Sequence, residues 1–185
     1  MRTLIGAIGY RNLRDHSAAF EVVDRLAAEG AEADVTIEDT SYNPIALVQW
    51  FQGLASDEQF DRVILVAAVP RAGRAGGALT PYRWDGRLPP DDLVQQAVTE
   101  AVTGIINLDN TLTIAGYFKA LPEDVVVVEI EPVDHAFGPE FSVSVTRAIA
   151  EASTMVRHLA TDAGAISALP RRGLELLSRL QARES

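Results

Sequence analysis

His16, Asp39 and Asp109 are the side chains whose types and positions best suit chemistry. His16 stands beside Asp15 in the polar turn after the first apolar run, Thr3–Ile8. Asp39 closes a short alternating segment, and Asp109 follows another apolar piece. If those segments are strands of one sheet, the three residues project from its carboxyl edge, where open α/β folds bind ligands. Clustered carboxylates with an imidazole can hold a metal ion or move protons. Each also has a plainer reading. Asp39, with Thr40 and Ser41 next to it, can cap a turn, as can Asp109. His16 can be a solvated surface residue. His135, beside Asp134, reads as a turn feature, and His158 suits the negative end of a helix dipole. None of the three histidines has a partner at a metal-ligand spacing such as H-E-x-x-H.

The elements that would position these residues follow from periodicity. Thr3–Ile8 is a buried strand, and Phe20, Val22, Val23, Leu26 and Ala27 recur at helical spacing after it. Ala33–Glu38 alternates as a strand, and Pro44 opens a helix with Ile45, Leu47, Val48, Phe51 and Leu54 as its apolar face. Asp61–Val69 is a nearly continuous β-branched run, expected in a central strand covered on both faces. Ala78–Trp84 reads as an edge strand because of Pro81. Helices are expected over Pro89–Thr103 and Thr111–Leu121, a strand over Asp124–Glu131, and a helix capped by Ser142 that runs to about Leu159. This alternation predicts an α/β three-layer sandwich with a mostly parallel sheet flanked by helices. Residues 1–160 form the expected single domain. Residues 161–185 read as a small-residue linker and a helical tail with Leu174, Leu177 and Leu180 on one side. That tail can pack on the domain, move freely, or pair with another chain, which leaves a homo-oligomer open.

Composition narrows the classes. A chain of 185 residues is long enough for a full core. The net charge of −10 disfavours nucleic acid, and no basic stripe with aromatics offsets it. No apolar run is long enough to span a membrane, and the opening MRTLIGAIGY is too short for a signal peptide, so a cytoplasmic location is expected. The absence of cysteine removes disulfides, thiol catalysis and cysteine metal sites. Gly6 and Gly9 do not make a dinucleotide fingerprint, and no G-x-S-x-G elbow exists. The loop Pro70–Gly77, PRAGRAGG, has the composition of a phosphate cradle without the P-loop order. It reads instead as a surface loop with solvated arginines, with a small-molecule or anion site as the alternative.

Read together, these segments resemble the hydrogenase maturation proteases, the endopeptidases that trim the C-terminus of nickel–iron hydrogenase large subunits. The likeness covers roughly residues 3–160. The family's first loop, like G-N-x-L-R-x-D-[DE]-G, is matched by Gly9, Leu13 and Arg14 when one extra residue is allowed. Its second segment, like D-x-G-T-x-G-L-x-L-L, is matched by Asp39 and the apolar spacing through Val48, without the Gly-Thr core. Its third strand is followed closely by Phe60–Val69, except at Ala67. LPEDVVVVEIEP, then FGPEFSVSV, resembles its late strand and final turn. The resemblance implies a hydrolase fold, a hydrogenase large-subunit precursor as partner, and nickel carried by that substrate rather than by a resident cofactor. The family reads nickel through an acid in the first loop, an Asp ending the third strand and a later His. The matching positions here are Ser17, Ala67 and Asp109, a poor ligand set for a borderline metal. A one-residue shift of the loop would bring Asp15 and His16 to the first position instead. The resemblance therefore implies a divergent, protease-like protein with a degenerate metal site. An active endopeptidase with shifted ligands is the alternative.

Overall fold

The computed structural model describes residues 1–175. Six strands lie in the order β2-β1-β3-β5-β4-β6. They are β1 (Thr3–Ile8), β2 (Val35–Asp39), β3 (Arg62–Ala68), β4 (Leu79–Trp84), β5 (Asp124–Ile130) and β6 (Arg171–Arg172). β1, β2, β3 and β5 are mutually parallel, and β4 runs antiparallel to β5. The helices are α1 (Ala18–Glu29), α2 (Pro44–Gly53), α3 (Asp91–Val102), α4 (Leu108–Tyr117), α5 (Val143–Thr161) and α6 (Ala163–Ser167).

The sheet carries a core on each face because strand side chains alternate. Ile5, Ala7, Ile64, Val66, Val126 and Val128 face α1 and α5. Leu4, Ile8, Val63, Leu65, Val125 and Val127 face the other layer, with Leu47 and Phe51 of α2 and Leu112 of α4. The third strand is buried on both faces, as its β-branched run predicts. The expected α/β three-layer sandwich is thus the observed one.

Three local expectations need correction. β4 is not the outermost strand, because Arg83 and Trp84 pair with β6. That pairing stops short of Pro81, whose nitrogen has no hydrogen to donate, so the Leu79–Pro81 half of β4 remains an edge. α4 begins at Leu108, not Thr111, because the Asn107 side chain caps it by accepting from Asn110 N. The linker expected over Thr161–Leu169 includes α6, capped by Asp162, with Ile166 buried. Leu174 is also buried against the second core, whereas Leu177 and Leu180 of the expected tail helix lie outside the described residues. No helix among the described residues is long and apolar enough to cross a membrane.

Candidate functional site

The site begins where β1 ends. Gly9 has φ +144°, a conformation that favours glycine, and its main chain passes close to the His16 carbonyl. Asn12 and Arg14 also hold positive φ, at 63° and 41°. Such conformations persist when the surroundings over-determine them. Here the second loop at the same edge, between β5 and α5, does so. Arg14 N donates to the Gly138 carbonyl at 3.0 Å, Gly138 N to the Asn12 carbonyl at 2.9 Å, and Asp15 N to the Asp134 carbonyl at 3.2 Å. The Arg14 guanidinium pairs with Asp134 at 2.6 Å.

Asp15 joins the two loops most firmly. Its fully buried carboxylate accepts from the main-chain N–H groups of Val133, Asp134 and Ser142 and from the Ser142 hydroxyl, at 2.7–2.9 Å. Burial alone would raise this carboxyl. The donors of Ser142, Asp134 and Val133 outweigh it and hold the group below the ordinary carboxylate range. Ser142 begins α5 as expected, but its hydroxyl serves Asp15 rather than the helix end. With its acceptor sites filled from the protein, Asp15 is a loop staple. Ser17 is similarly engaged: its hydroxyl accepts from Leu13 N at 2.8 Å.

His16, the next residue, lies half-buried on the wall of a cavity of about 420 Å³ at the carboxyl edge of the sheet. Burial, and then the ring of His135 at 6.3 Å, lower the His16 pKa against the pull of Asp15. Burial therefore favours the neutral imidazole over the imidazolium. Ile8, Ala67 and Val69 supply the apolar floor, and Leu93 and Ala97 of α3 face them. The polar wall comes from α3 and α4: Gln96, Glu100, Asn107, Asp109, Asn110 and Thr113. Glu100 organises part of it, accepting from Asn110 at 2.8 Å and from Gln96 at 2.9 Å.

Asp109 lines this cavity, and its partner Arg71 lines a second cleft of about 370 Å³. Arg71 grips Asp109 through two bonds of 3.1 Å, one to each carboxylate oxygen. The same guanidinium donates to buried Glu129 at 2.7 Å and to Glu175 at 2.6 Å, while Arg71 N donates to Glu131. Arg74 and the Tyr82 hydroxyl also donate to Glu129. Burial works against the charge of Glu129, yet Arg71 and Arg74 hold its carboxyl below its ordinary value. Burial and then Glu129 push the Tyr82 phenol up, so it remains a donor. Burial would lower Arg71; Asp109 and Glu129 overcome it and fix the cation.

His16, Ala67 and Asp109 thus share one cavity, whereas Asp39 and Ser17 do not line it. The Asp39 carboxylate accepts from Ser41 and pairs with Arg11 at 3.3 Å, at the end of β2. No group of three His, Asp or Glu side chains among the described residues could hold a metal ion. The reading of Pro70–Gly77 as a loop of solvated arginines is corrected: Arg71 and Arg74 turn inward onto carboxylates, which also removes them as a phosphate cradle. Glu129, the buried partner of both arginines, was not among the residues singled out in the sequence. The available signal was the acid inside the buried run DVVVVEIE, which requires a partner.

No protein-family model matches the sequence, and neither does any curated protein. Solved structures do match. A hydrogenase 2 maturation peptidase from a Thaumarchaeota archaeon is 21% identical, with a TM-score of 0.59 over 87% of this chain and 99% of its own. The hydrogenase maturating endopeptidase HybD of E. coli is 17% identical, with a TM-score of 0.63 over 89% and 94%. The E. coli endopeptidase HycI is 15% identical, with a TM-score of 0.60 over 92% and 96%. The chain has the fold that these peptidases share.

Proposed function

We propose that this chain, built on the fold of the hydrogenase maturation peptidases, is a divergent member of that group that docks on a hydrogenase large-subunit precursor. The observation that carries this reading is the cavity at the carboxyl edge. It joins an apolar floor to a polar wall, while Ala67 stands at the end of β3 and Asp109 is bound by Arg71. An alanine offers no donor to a metal, and an acid held by a guanidinium is a weakened one. The group's reading of substrate nickel therefore does not carry over, whereas the means of binding a peptide do. Gln96, Asn107, Asn110 and Thr113 can hydrogen-bond main-chain amides, and Ile8, Val69 and Leu93 can receive a side chain. Tyr10 on the wall is exposed, as are Ile105 nearby and Val133 and Phe137 in the loop of His135. Exposed apolar side chains of this size suit a protein partner.

The test is to mix the purified chain with an unprocessed large-subunit precursor. Complex formation is followed by size-exclusion chromatography, and the precursor's mass by mass spectrometry. A stable complex with an uncut C-terminus is expected. No complex overturns the docking reading. A trimmed precursor would favour the second reading, an active endopeptidase with shifted ligands, whose support is the neutral His16 imidazole in the cavity.

A further inference from the structure

Arg71 satisfies the chemistry that a bound cation would otherwise satisfy. It is nearly buried, and its guanidinium meets the carboxylates of Asp109, Glu129 and Glu175. The pair with Asp109 is bidentate, the geometry in which guanidinium and carboxylate match best. Asp109 also lines the cavity that holds His16. A carboxylate and a neutral imidazole on one cavity are the donors that borderline divalent metals take. The resident guanidinium, bonded to both oxygens of Asp109, cancels that charge.

We propose that Arg71 is a positioning residue that acts as a built-in cation on Asp109, so that the cavity takes a protein segment without reading a metal on it. This rests on the docking reading for the identity of the partner. The charge plug itself is tested without any partner. The bidentate pair fixes the Asp109 carboxylate on the cavity wall, and Glu129 fixes Arg71, held in turn by Arg74 and Tyr82. A segment entering the cavity meets the neutralised Asp109, the Glu100 carboxylate held by the Gln96 and Asn110 amides, and the polar groups of Asn107 and Thr113, a surface suited to main-chain N–H and C=O groups.

Calorimetric titration with cadmium and nickel salts provides the test. Removing Arg71 alone would strand Glu129, so the variant is Arg71→Gln with Glu129→Gln, which removes the cation and its most buried carboxylate together. This double variant is expected to bind metal at least tenfold more tightly than wild type, with the His16 imidazole NMR signals shifting on cadmium addition. Adding Asp109→Asn should abolish the gain, and Arg71→Lys, which keeps a cation, should not acquire it. A double variant no tighter than wild type overturns the proposal, as does a gain that survives Asp109→Asn. A second test uses the otherwise native chain. Asp109→Asn alone should leave any residual metal affinity unchanged, because that carboxylate is already taken, and a tenfold fall contradicts the proposal.

Discussion

Asp15 and Asp109 are both acids at the carboxyl edge of one sheet, and both are fully engaged, but by opposite means. Asp15 is bound by neutral donors: three main-chain N–H groups and a hydroxyl from a distant loop. Asp109 is bound by one charged side chain, which belongs to a buried cluster of arginines and acids. The first arrangement uses a charge to fix the backbone that presents His16. The second uses a charge to silence an acid on the cavity wall. Backbone donors cannot be removed by substitution, whereas a guanidinium can. The Asp15 side of the cavity is therefore a fixed frame, and the Asp109 side is the one that side-chain substitutions in the charged cluster can retune.

The largest effect should come from breaking the charged cluster on one side only. Arg71→Met leaves Glu129 buried without its main partner and should cost about 4 kcal/mol, read from the urea midpoint. A loss below about 1 kcal/mol would mean that the cluster rearranges or hydrates. Asp15→Ala should follow at about 3 kcal/mol, since it orphans several buried N–H groups. It should also increase hydrogen exchange in both loops, at Asn12–Asp15 and at Val133–Gly138, whereas Arg71→Met should not.

Acid separates the regions further. Asp15 and Glu129 both have pKa values held below the ordinary carboxylate range. For such a group the unfolded chain binds the proton first as pH falls, so its contribution is complete above the unfolded value and disappears as pH drops through the folded one. Stability should therefore decline below about pH 4.5. Asp15→Asn should flatten part of that decline, because its amide does not titrate. His16 also has a lowered pKa, so the unfolded chain gains its proton first near pH 6.5 and stability should dip slightly from there downward. That dip should vanish in His16→Ala, the smallest effect, which should change stability at neutral pH by no more than ~0.5 kcal/mol.

The layers of the fold were legible because strand alternation and β-branched runs report burial directly. β1, β3 and β5 fall where Thr3–Ile8, Asp61–Val69 and Asp124–Glu131 place them. β6 was not legible, since Arg171–Arg172 joins the sheet by main-chain pairing with β4 rather than by any apolar pattern. In the site, His16 and Asp109 could be picked out as polar residues after apolar segments, and the structure puts both on one cavity. Asp39 looked equivalent by the same rule. It lies at the end of β2, an outer strand, and is tied to Arg11 and Ser41. The Arg71 cluster joins residues as far apart as 71, 109, 129 and 175, and no local pattern encodes that convergence.

The most direct measurement of the central claim is the affinity of the wild-type chain for the same large-subunit precursor prepared with and without nickel. If the cavity docks the precursor while ignoring the metal, the two dissociation constants should agree within about twofold, a difference of roughly 0.4 kcal/mol. A preference of tenfold or more for the nickel-loaded form, accompanied by cleavage of its C-terminus, would contradict it.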